Sequence, residues 1–516
     1  MLSTVYSAGV LGIDGYEVTV ECNMQDKLPC FEIVGLPDAS VKEAEQRIQA
    51  ALENNGFTFP DSAIVINLAP ADIKKEGSAF DMGLLTAILH SGGMVKKTVD
   101  FSNKCFIGEL SMSGRFRAIR GVLSMALCAK SKGRSEIFVP AENAKEASVV
   151  SGIRVYPVHD IKELADHLNG KKLLEHVTFD REKFESQTSV SKMDFSDVKG
   201  QEKAKRALEI AAAGNHNVLL IGPPGTGKSM LAKRLPSILP RITFDEAVEC
   251  TKIHSIAGML PADSLITERP FRSPHHTMSS VALSGGGRIP MPGEISLAHN
   301  GILFLDELPE FHKDATEVLR QPLEDGSITV TRAAGRFTFP STFMLVCAMN
   351  PCKCGYYGHP TKKCTCKPEE IKKYISKISG PLIDRIDIQL EVSSLSYNEL
   401  SDTRPAESSF DIRERVNKAR AIAVERFKHE TTYTGRPIYA NADMTANQIR
   451  KYCVLDKDGN DLLRMAFERM GMSARGYDRI LRVARTVADL SGSESIGMKH
   501  IAEAIQLRSL DRKYFS

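Results

Sequence analysis

Eight consecutive residues near the middle of the chain have the types and spacing of a loop that holds phosphate groups. They are Gly222, Pro223, Pro224, Gly225, Thr226, Gly227, Lys228 and Ser229. Glycines let backbone amides close around phosphate oxygens, the lysine can reach the β and γ phosphates, and the serine hydroxyl can ligate magnesium. The pattern therefore predicts a site for ATP and Mg2+.

Three further polar residues follow apolar runs and could complete the chemistry at such a site. Asp306 and Glu307 come directly after the run 302–305, and Asn350 closes the run that begins at 343. Buried carboxylates are unfavourable unless they hold a metal or do chemistry, so Asp306 is predicted to hold Mg2+ and Glu307 to polarise the attacking water. Asn350 is predicted to orient that water, although a turn-forming role is an alternative.

Four cysteines form two C-x-C pairs within the loop 352–366, which also contains glycines and a proline. They are Cys352, Cys354, Cys364 and Cys366. Four thiolates on a short loop suit tetrahedral zinc, and we expect structural Zn2+. Because C-x-C is less usual than C-x-x-C, an iron–sulfur cluster and free thiols are the alternatives, and His359 is a spare candidate ligand. Seven lysines between 353 and 377 could bring this loop to DNA.

Strands and helices must position these residues. The apolar runs 218–221, 302–305 and 343–348 predict buried parallel strands, and 201–213 predicts a helix before the first of them. A chain of 516 residues is too long for one core. We predict an α/β domain at 1–170, a polar linker at 171–194, an α/β core with a parallel sheet at 195–395 and an α-helical lid at 396–516.

Composition and charge narrow the class of protein. Hydrophobic residues make up 42% and charged residues 25% of the chain, and no run approaches the length of a membrane span, so no membrane partner is expected. The N-terminus lacks the order of a secretory signal, which predicts a cytoplasmic protein with reduced thiols. From 411 to 516 there are 20 Lys and Arg against 14 Asp and Glu, a balance compatible with a polyanion partner.

The motifs together resemble the ComM/YifB family of the magnesium-chelatase-like AAA+ ATPases. The resemblance extends over essentially the whole chain and is carried by FRSPHHT at 271–277, GGG at 285–287, PGEISLAH at 292–299 and LDELPEF at 305–311. It implies a ring, usually a homo-hexamer, in which Arg385 is the finger inserted at a neighbour's γ-phosphate. It also implies that Arg475 is a lid arginine that contacts ATP within its own chain.

The family is similar to replicative minichromosome-maintenance helicases in carrying hairpins that face the ring channel. Two segments fit that role: the insertion at 285–295, which includes Arg288, and the hairpin predicted at 327–339, which includes Arg332 and Arg336. Basic hairpin tips in a ring would contact DNA phosphates, whereas an ordinary solvent-facing hairpin is the alternative. The pair His275 and His276 is interpreted as structural.

The N-terminal domain resembles the proteolytic domain of Lon through the segments 75–81 and 108–115. The position of the nucleophile falls on Ala79, with Ser78 one place early, and the segment after Gly121 lacks the general-base lysine. An unactivated serine is a weak nucleophile, so this domain is expected to be non-proteolytic. Similar domains in RadA-type recombination ATPases serve assembly and DNA contact.

The leading hypothesis is a hexameric ATP-dependent motor that translocates on single-stranded or branched DNA and promotes branch migration of recombination intermediates, as in natural transformation. Recombination proteins are candidate partners. One alternative is a chelatase-type AAA+ motor that remodels a protein partner, since a shared fold does not fix function. Another is an ATP-dependent Lon-like protease.

Overall fold

Alternating apolar and polar residues generate the longer strands, and continuous apolar runs generate the buried ones. In the computed structural model, the residues described are 2–186, 193–260, 265–287, 290–332, 335–359, 361–401, 406–470, 472–508, 510 and 514–515. Their strands are β1 (Leu2–Leu11), β2 (Asp14–Gln25), β3 (Cys30–Val34), β4 (Ala63–Ala69), β5 (Lys104–Phe106), β6 (Glu109–Leu110), β7 (Phe116–Arg117), β8 (Glu136–Pro140), β9 (Arg154–Val158), β10 (Val218–Ile221), β11 (Phe271–Arg272), β12 (Gly285–Gly286), β13 (Met291–Pro292), β14 (Ile302–Leu305), β15 (Ser327–Arg332), β16 (Gly335–Pro340), β17 (Met344–Met349) and β18 (Ile388–Glu391).

Helices cover the sheets and dominate the last quarter of the chain. The α-helices of the described residues are α1 (Ala39–Lys42), α2 (Ala44–Asn54), α3 (Asp81–Ser91), α4 (Val122–Ser131), α5 (Ala144–Ser148), α6 (Ile161–Leu168), α7 (Arg181–Ser186), α8 (Glu202–Gly214), α9 (Lys228–Arg234), α10 (Phe244–Ile256), α11 (Ser280–Ser284), α12 (Glu294–Leu297), α13 (Lys313–Glu317), α14 (Arg320–Asp325), α15 (Pro368–Ile375), α16 (Gly380–Ile383), α17 (Tyr397–Ser401), α18 (Ser409–Arg426), α19 (Ala446–Tyr452), α20 (Lys457–Met470), α21 (Ala474–Leu490) and α22 (Met498–Gln506). Within these described parts, no helix is both long and apolar enough to cross a membrane.

The chain divides into two compact units. The first contains Met1–Gln187 and Phe244–Thr267, and the second contains Thr188–Thr243 and Glu268–Ser516. The sequence analysis placed 244–267 in the α/β core, but in the structure this segment packs with the N-terminal unit. Ser255 of α10 accepts a hydrogen bond from the Gly121 amide at 2.8 Å and donates to the buried Glu146 carboxylate at 2.5 Å.

The first unit is built on a four-stranded sheet of order β1-β2-β4-β3 and a parallel three-stranded sheet of order β5-β8-β9. Strands β1, β2 and β4 pair antiparallel, whereas β3 pairs parallel with β4. Helix α3 is buried along its whole length, and the rings of Phe106 and Phe138 stack at 4.7 Å in the core. Asp81 at the start of α3 is buried and accepts two hydrogen bonds from Arg47, each 2.8 Å.

The serine of the Lon-like motif is engaged by a carboxylate. Ser78 donates its hydroxyl to Glu109 at 2.5 Å, and the buried Lys75 donates to the Pro70 carbonyl. Among the described residues, no hydrogen bond joins Ser78 to a lysine. The Ser–Lys pair that activates the nucleophile of a Lon-type site is therefore not formed within the described residues.

The second unit is built on a five-stranded parallel sheet of order β11-β14-β17-β10-β18. Every residue of β10, β14 and β17 is buried, which explains their uninterrupted apolar runs. Helices α8, α18 and α21 pack together, and their buried residues join the core of this sheet. The structure confirms the predicted α/β class, with parallel sheets and a helical C-terminal region.

Candidate nucleotide-binding site

The loop at 222–229 connects β10 to α9 at the carboxyl edge of the sheet. Gly222 is required there because a Cβ atom at this position would lie 2.3 Å from the Val392 carbonyl oxygen. Gly227 has φ of +89°, a left-handed conformation that favours glycine, and it directly precedes the first turn of α9. The local sequence thus folds into a tight loop whose amides can face an anion.

Lys228 is buried under this loop. Its Nζ atom donates to the carbonyl oxygens of Gly222 at 2.7 Å and Pro223 at 2.9 Å, and to Asn350 Oδ1 at 3.2 Å. Burial lowers the pKa of Lys228, while the nearby carboxylates of Asp306 and Glu307 oppose that shift. The lysine and the predicted water-orienting amide therefore lie on one side of one site.

Ser229 and Asp306 are paired on the adjacent side. The Ser229 hydroxyl donates to Asp306 Oδ2 at 2.6 Å, and Asp306 Oδ1 accepts the Glu307 amide at 2.9 Å. Ser229 belongs to α9, which follows β10, and Asp306 follows β14. The two side chains lie close together because β10 and β14 are both neighbours of β17 in the sheet. A hydroxyl beside a carboxylate is the oxygen donor set that Mg2+ prefers, so these residues fit the predicted ion.

Glu307 has an unusual backbone. Its φ of 54° and ψ of 44° lie in the left-handed region, and its side chain is 56% exposed. Glu307 Oε2 lies 3.3 Å from His276 Nδ1. The sequence analysis gave His276 no chemical role; its place in the FRSPHHT run at 271–277, which carries part of the family resemblance, was the available signal. The run begins with β11, the strand paired with β14.

Arg385 lies at the opposite end of the parallel strands, where they begin; this end of the sheet is called the amino edge below. Arg385 precedes β18, and its carbonyl oxygen accepts a hydrogen bond from Asn217 Nδ2 at 2.8 Å, just before β10 begins. Since the four residues of β10 span about 13 Å, Arg385 and the phosphate loop of the same chain are separated by the height of the sheet.

Arg475 is also at this amino edge, which departs from the expectation that it contacts ATP in its own chain. Its Nη1 atom lies 3.5 Å from Asp384 Oδ2, in the segment that carries Arg385, and its side chain is 69% exposed. The reason is the docking of α21. One turn further along that helix, the buried Arg479 lies 3.7 Å from Asp387 Oδ1 and draws the helix start to this edge.

The amino edge has a cavity of about 550 Å³ with both signs of charge in its lining. The lining includes the arginines Arg385, Arg436, Arg475, Arg479 and Arg482 and the carboxylates Glu324, Asp325, Asp387, Asp443 and Asp478. Arg385 donates to the Pro381 carbonyl at 2.6 Å and contacts Glu324, while its Nε has no hydrogen-bond partner among the described residues. Burial and the neighbouring guanidinium groups of Arg320 and Arg475 lower the pKa of Arg385.

The four cysteines converge. Their sulfur atoms all lie within 4.8 Å of one another, and Cys352, Cys354 and Cys364 are separated by 3.4, 3.5 and 3.7 Å. Tetrahedral Zn–S bonds of about 2.3 Å place sulfurs about 3.8 Å apart, so the cluster fits zinc. Burial raises the pKa of Cys354, but hydrogen bonds from the Tyr356 and Thr365 amides outweigh it and bring that pKa to about 5.

The cysteine loop packs on the phosphate loop. A Cβ atom at Gly355 would lie 2.6 Å from Pro224 Cδ, so the backbone of Gly355 packs directly on the Pro224 ring. His359 is not part of the cluster in this structure. Its Nδ1 accepts the Thr361 amide at 3.1 Å, and its Nε2 lies 3.3 Å from the Ser394 hydroxyl.

Two hairpins carry the predicted DNA-contacting arginines. Strands β15 and β16 pair from Ser327↔Pro340 to Arg332↔Gly335, and Arg332 and Arg336 are both exposed. Strands β12 and β13 form the second hairpin, and a Cβ atom at Gly286 would lie 3.2 Å from Arg332 Nη2. Arg288 falls outside the described residues.

Comparisons with known proteins agree with this geometry. The model "Magnesium chelatase, subunit ChlI" matches residues 194–400, "Subunit ChlI of Mg-chelatase" matches 20–143, and the model of the ChlI C-terminal region matches 406–508. The parallel sheet, its phosphate loop and these matches define a magnesium-chelatase-like AAA+ protein.

Individual relatives narrow the assignment. Competence protein ComM of Haemophilus influenzae is 40% identical over 513 residues, covering 99% of this chain and 98% of its own length. Protein YifB of Escherichia coli is 39% identical over 514 residues, with the same coverage. The chain belongs to the ComM/YifB family. A distant relative, the DNA replication licensing factor mcm6-A of Xenopus laevis, is 21% identical over 300 residues, which are 57% of this chain and 32% of that protein.

Proposed function

We propose that the protein is a hexameric ATPase that translocates on DNA and promotes branch migration of recombination intermediates. The observation that carries the proposal is that the functional groups of the second unit lie at two opposite ends of its sheet. The carboxyl edge holds the phosphate loop with its lysine and carboxylates, and the amino edge holds exposed and half-buried arginines. This division supports a site that the arginines of a neighbouring chain complete.

Each residue of the carboxyl edge has a role in hydrolysis. Lys228 and the loop amides bind the phosphates, and Ser229 and Asp306 would hold Mg2+, which neutralises charge on the β and γ phosphates when bound. Glu307 accepts a proton from the attacking water, and the Asn350 amide orients that water. The hydrogen bond between Lys228 and Asn350 holds the phosphate-binding amine and the water-orienting amide next to each other.

The proposed ring is inferred from the two arginines at the amino edge. Arg385 is the finger offered to the γ-phosphate of the neighbouring chain, and Arg475 joins it from the start of α21. Repeated head-to-tail contacts of this kind close into a ring, for which we propose six subunits. The buried Arg479, between Asp384 and Asp387, fixes the two arginines relative to each other.

DNA is the polymer along which we propose that the ring moves. The exposed Arg332 and Arg336 stand on a hairpin beside the β12–β13 hairpin, and both would face the channel of the ring. Backbone phosphates are the partners of such arginines, so binding should weaken steeply as salt rises. The competence name of one relative and the replication name of another favour a DNA substrate, with recombination proteins as candidate partners. We propose a cytoplasmic location for this activity.

Zinc is proposed to be structural. The four thiolates lie in a segment that starts two residues after Asn350, and the same loop touches Pro224. A metal at this position would fix the loop that carries the water-orienting amide. The sulfur donor set favours zinc over Mg2+ or Ca2+.

A second candidate function is a chelatase-type motor that remodels a protein partner, which the three ChlI family matches favour. Peptide hydrolysis is a third alternative, and what weighs against it is that Lys75 donates to the Pro70 carbonyl while no hydrogen bond joins Ser78 to a lysine among the described residues. Degradation of an unfolded protein by the wild type, lost in Ser78→Ala, would revive it.

The deciding experiment is an ATPase and branch-migration assay with the purified full chain. Turnover is measured without DNA and with single-stranded, duplex and four-way-junction DNA, with Glu307→Gln as the hydrolysis-deficient control. We expect DNA to stimulate ATP turnover. We also expect branch migration to convert the four-way junction into its duplex products only when ATP is present. Intact ATPase activity without movement of any branched DNA would refute the motor and favour the chelatase-type function.

A further inference from the structure

The first unit has a groove of about 780 Å³ beside the beginning of β3 and β4. Its lining comes from the start of β3, from α2 and from the segment 56–62, which leads from α2 to β4. After α2 ends, the Phe57 amide donates to the Leu52 carbonyl oxygen at 3.0 Å, which begins the reversal of the chain toward β4. The groove therefore lies between a helix and the connection that follows it.

Three phenylalanine rings form the apolar part of this groove. Phe57 and Phe59 alternate with the exposed Thr58, and Phe31 belongs to β3. The rings of Phe31 and Phe59 lie 6.3 Å apart. All three rings pack against the core of the first unit but are only half-buried, so part of each ring remains accessible. Aromatic surface that is clustered and accessible on a folded domain marks a site for a partner.

The charge of the groove selects the sign of that partner. Glu45, Glu53 and Asp61 line it, and the described residues of its lining include no Lys, Arg or His. The Gln49 side-chain amide donates to the Glu53 carboxylate at 3.0 Å. Carboxylates beside aromatic rings attract ammonium and guanidinium groups and repel the phosphates of DNA.

The shape of the groove suits an extended chain. Glu45, Gln49 and Glu53 follow one another at intervals of four residues on α2, so they form one stripe along the helix. The span from Glu45 to Glu53 rises about 12 Å, which is the length of about four residues of a β-strand. A short extended segment can therefore lie along the stripe.

Strand β3 is the edge strand of its sheet. In the order β1-β2-β4-β3 it pairs with β4 alone, so within the described chain no strand pairs with its other side. Residues Cys30–Val34 contain no lysine or proline, which commonly block the addition of a strand at an edge. Leu28 and Leu36, on either side of β3, are 89% and 55% exposed. Since Cys30 and Phe31 also line the groove, a segment added along β3 would reach it.

We propose that the free edge of β3 and this groove together bind an extended segment of a partner protein in which Lys or Arg residues alternate with apolar residues. The backbone of the segment pairs with β3, its apolar side chains contact the three rings, and its cations lie beside the three carboxylates. The inference goes beyond the proposed motor, because it gives the first unit the task of recruiting a protein.

The test is fluorescence anisotropy with the full chain, without nucleotide, and a labelled eight-residue peptide of alternating lysine and valine. The wild type should bind this lysine peptide at least about tenfold more tightly than a peptide of alternating glutamate and valine. The double variant Glu45→Lys, Glu53→Lys should lose about tenfold or more in affinity for the lysine peptide and gain affinity for the glutamate peptide. Glu142→Lys reverses an exposed charge of the same unit outside the groove, and this matched control should behave as wild type.

Two further measurements separate the rings and the strand edge from charge. Phe59→Leu keeps an apolar side chain but removes the ring face, and it should weaken binding of the lysine peptide about twofold to fivefold. A lysine peptide that is N-methylated at every residue has no backbone donors for β3 and should bind at least about tenfold more weakly.

Each contrary result overturns the proposal. Equal binding of the lysine peptide to wild type and the double variant, or no binding to either, would refute the groove. Undiminished binding of the N-methylated peptide would refute pairing with β3. If the double variant has a smaller mass in light scattering but unchanged peptide affinity, the groove is a contact between copies of this chain. A gain of affinity for the glutamate peptide cannot come from misfolding, and the absence of nucleotide makes every result independent of the proposed ATPase.

Discussion

Mixing two inactive variants would show whether each ATP site is shared between chains. Arg385→Ala removes the finger at the amino edge, and Glu307→Gln removes the general base at the carboxyl edge. Each homogeneous ring should lose about 10³-fold or more of its turnover, because a finger arginine alone contributes that much in related reactions. In a mixed ring, a site works when its own chain keeps Glu307 and the neighbouring chain keeps Arg385.

The separation of the two edges sets the expected recovery. At equal amounts and with random assembly, half of the chains keep Glu307 and half of their neighbours keep Arg385, so about one quarter of wild-type turnover returns. Turnover should follow a parabola as the mixing ratio changes, with its maximum at equal amounts. If the finger served its own chain, no ratio would restore turnover.

The assay is steady-state ATP hydrolysis after the variants have been mixed, dissociated and reassembled. A mixture of Lys228→Ala and Glu307→Gln is the matched control, because both residues belong to the same edge of one chain and no functional site can form. Recovery in the control, or none across all ratios of the test pair, would refute the shared site.

Three further predictions address single features of the second unit. Lys228→Ala should weaken ATP binding by at least about tenfold in a fluorescent-nucleotide titration, because the ammonium is the buried charge under the phosphate loop. Cys352→Ser should abolish bound zinc in elemental analysis and lower Tm, whereas Cys347→Ser, outside the cluster, should keep the metal. Asp387→Asn should destabilise the chain by about 3 kcal/mol at pH 7, because it leaves Arg479 without a buried counter-charge. Although burial raises the pKa of Asp387, the hydrogen bond from His216 and the positive charges of Arg479 and Arg482 lower it more, so this stabilisation exists above the unfolded pKa of about 4. It is lost as pH falls through the depressed folded pKa, and the difference in Tm between Asp387→Asn and wild type should shrink below pH of about 4.

The carboxyl edge could be predicted from sequence because its residues are adjacent to buried strands. A glycine-rich run after β10 and two carboxylates after β14 have few structural alternatives, and parallel strands bring their carboxyl ends to one edge. The structure places Lys228, Asp306 and Asn350 together accordingly. The α/β class followed from the same runs.

The position of Arg475 could not be predicted because it depends on packing between distant segments. Its helix docks at the amino edge through the buried Arg479 and Asp387, which are 92 positions apart in the sequence. The contact between His276 and Glu307 could not be predicted for a related reason. Nothing in a pair of histidines reveals that Glu307 adopts left-handed backbone angles and that its carboxylate lies beside His276.

The contact between Gly355 and Pro224 has a thermodynamic consequence. Because the cysteine loop and the phosphate loop touch, a metal that orders one loop changes the free energy of ordering the other. Linkage then requires reciprocity: whatever factor zinc contributes to the affinity for ATP, ATP contributes to the affinity for zinc. If zinc raises the affinity for ATP, a higher chelator concentration is needed to remove the metal from the nucleotide-bound chain than from the nucleotide-free chain. The metal affinity of each subunit would then report whether that subunit holds nucleotide.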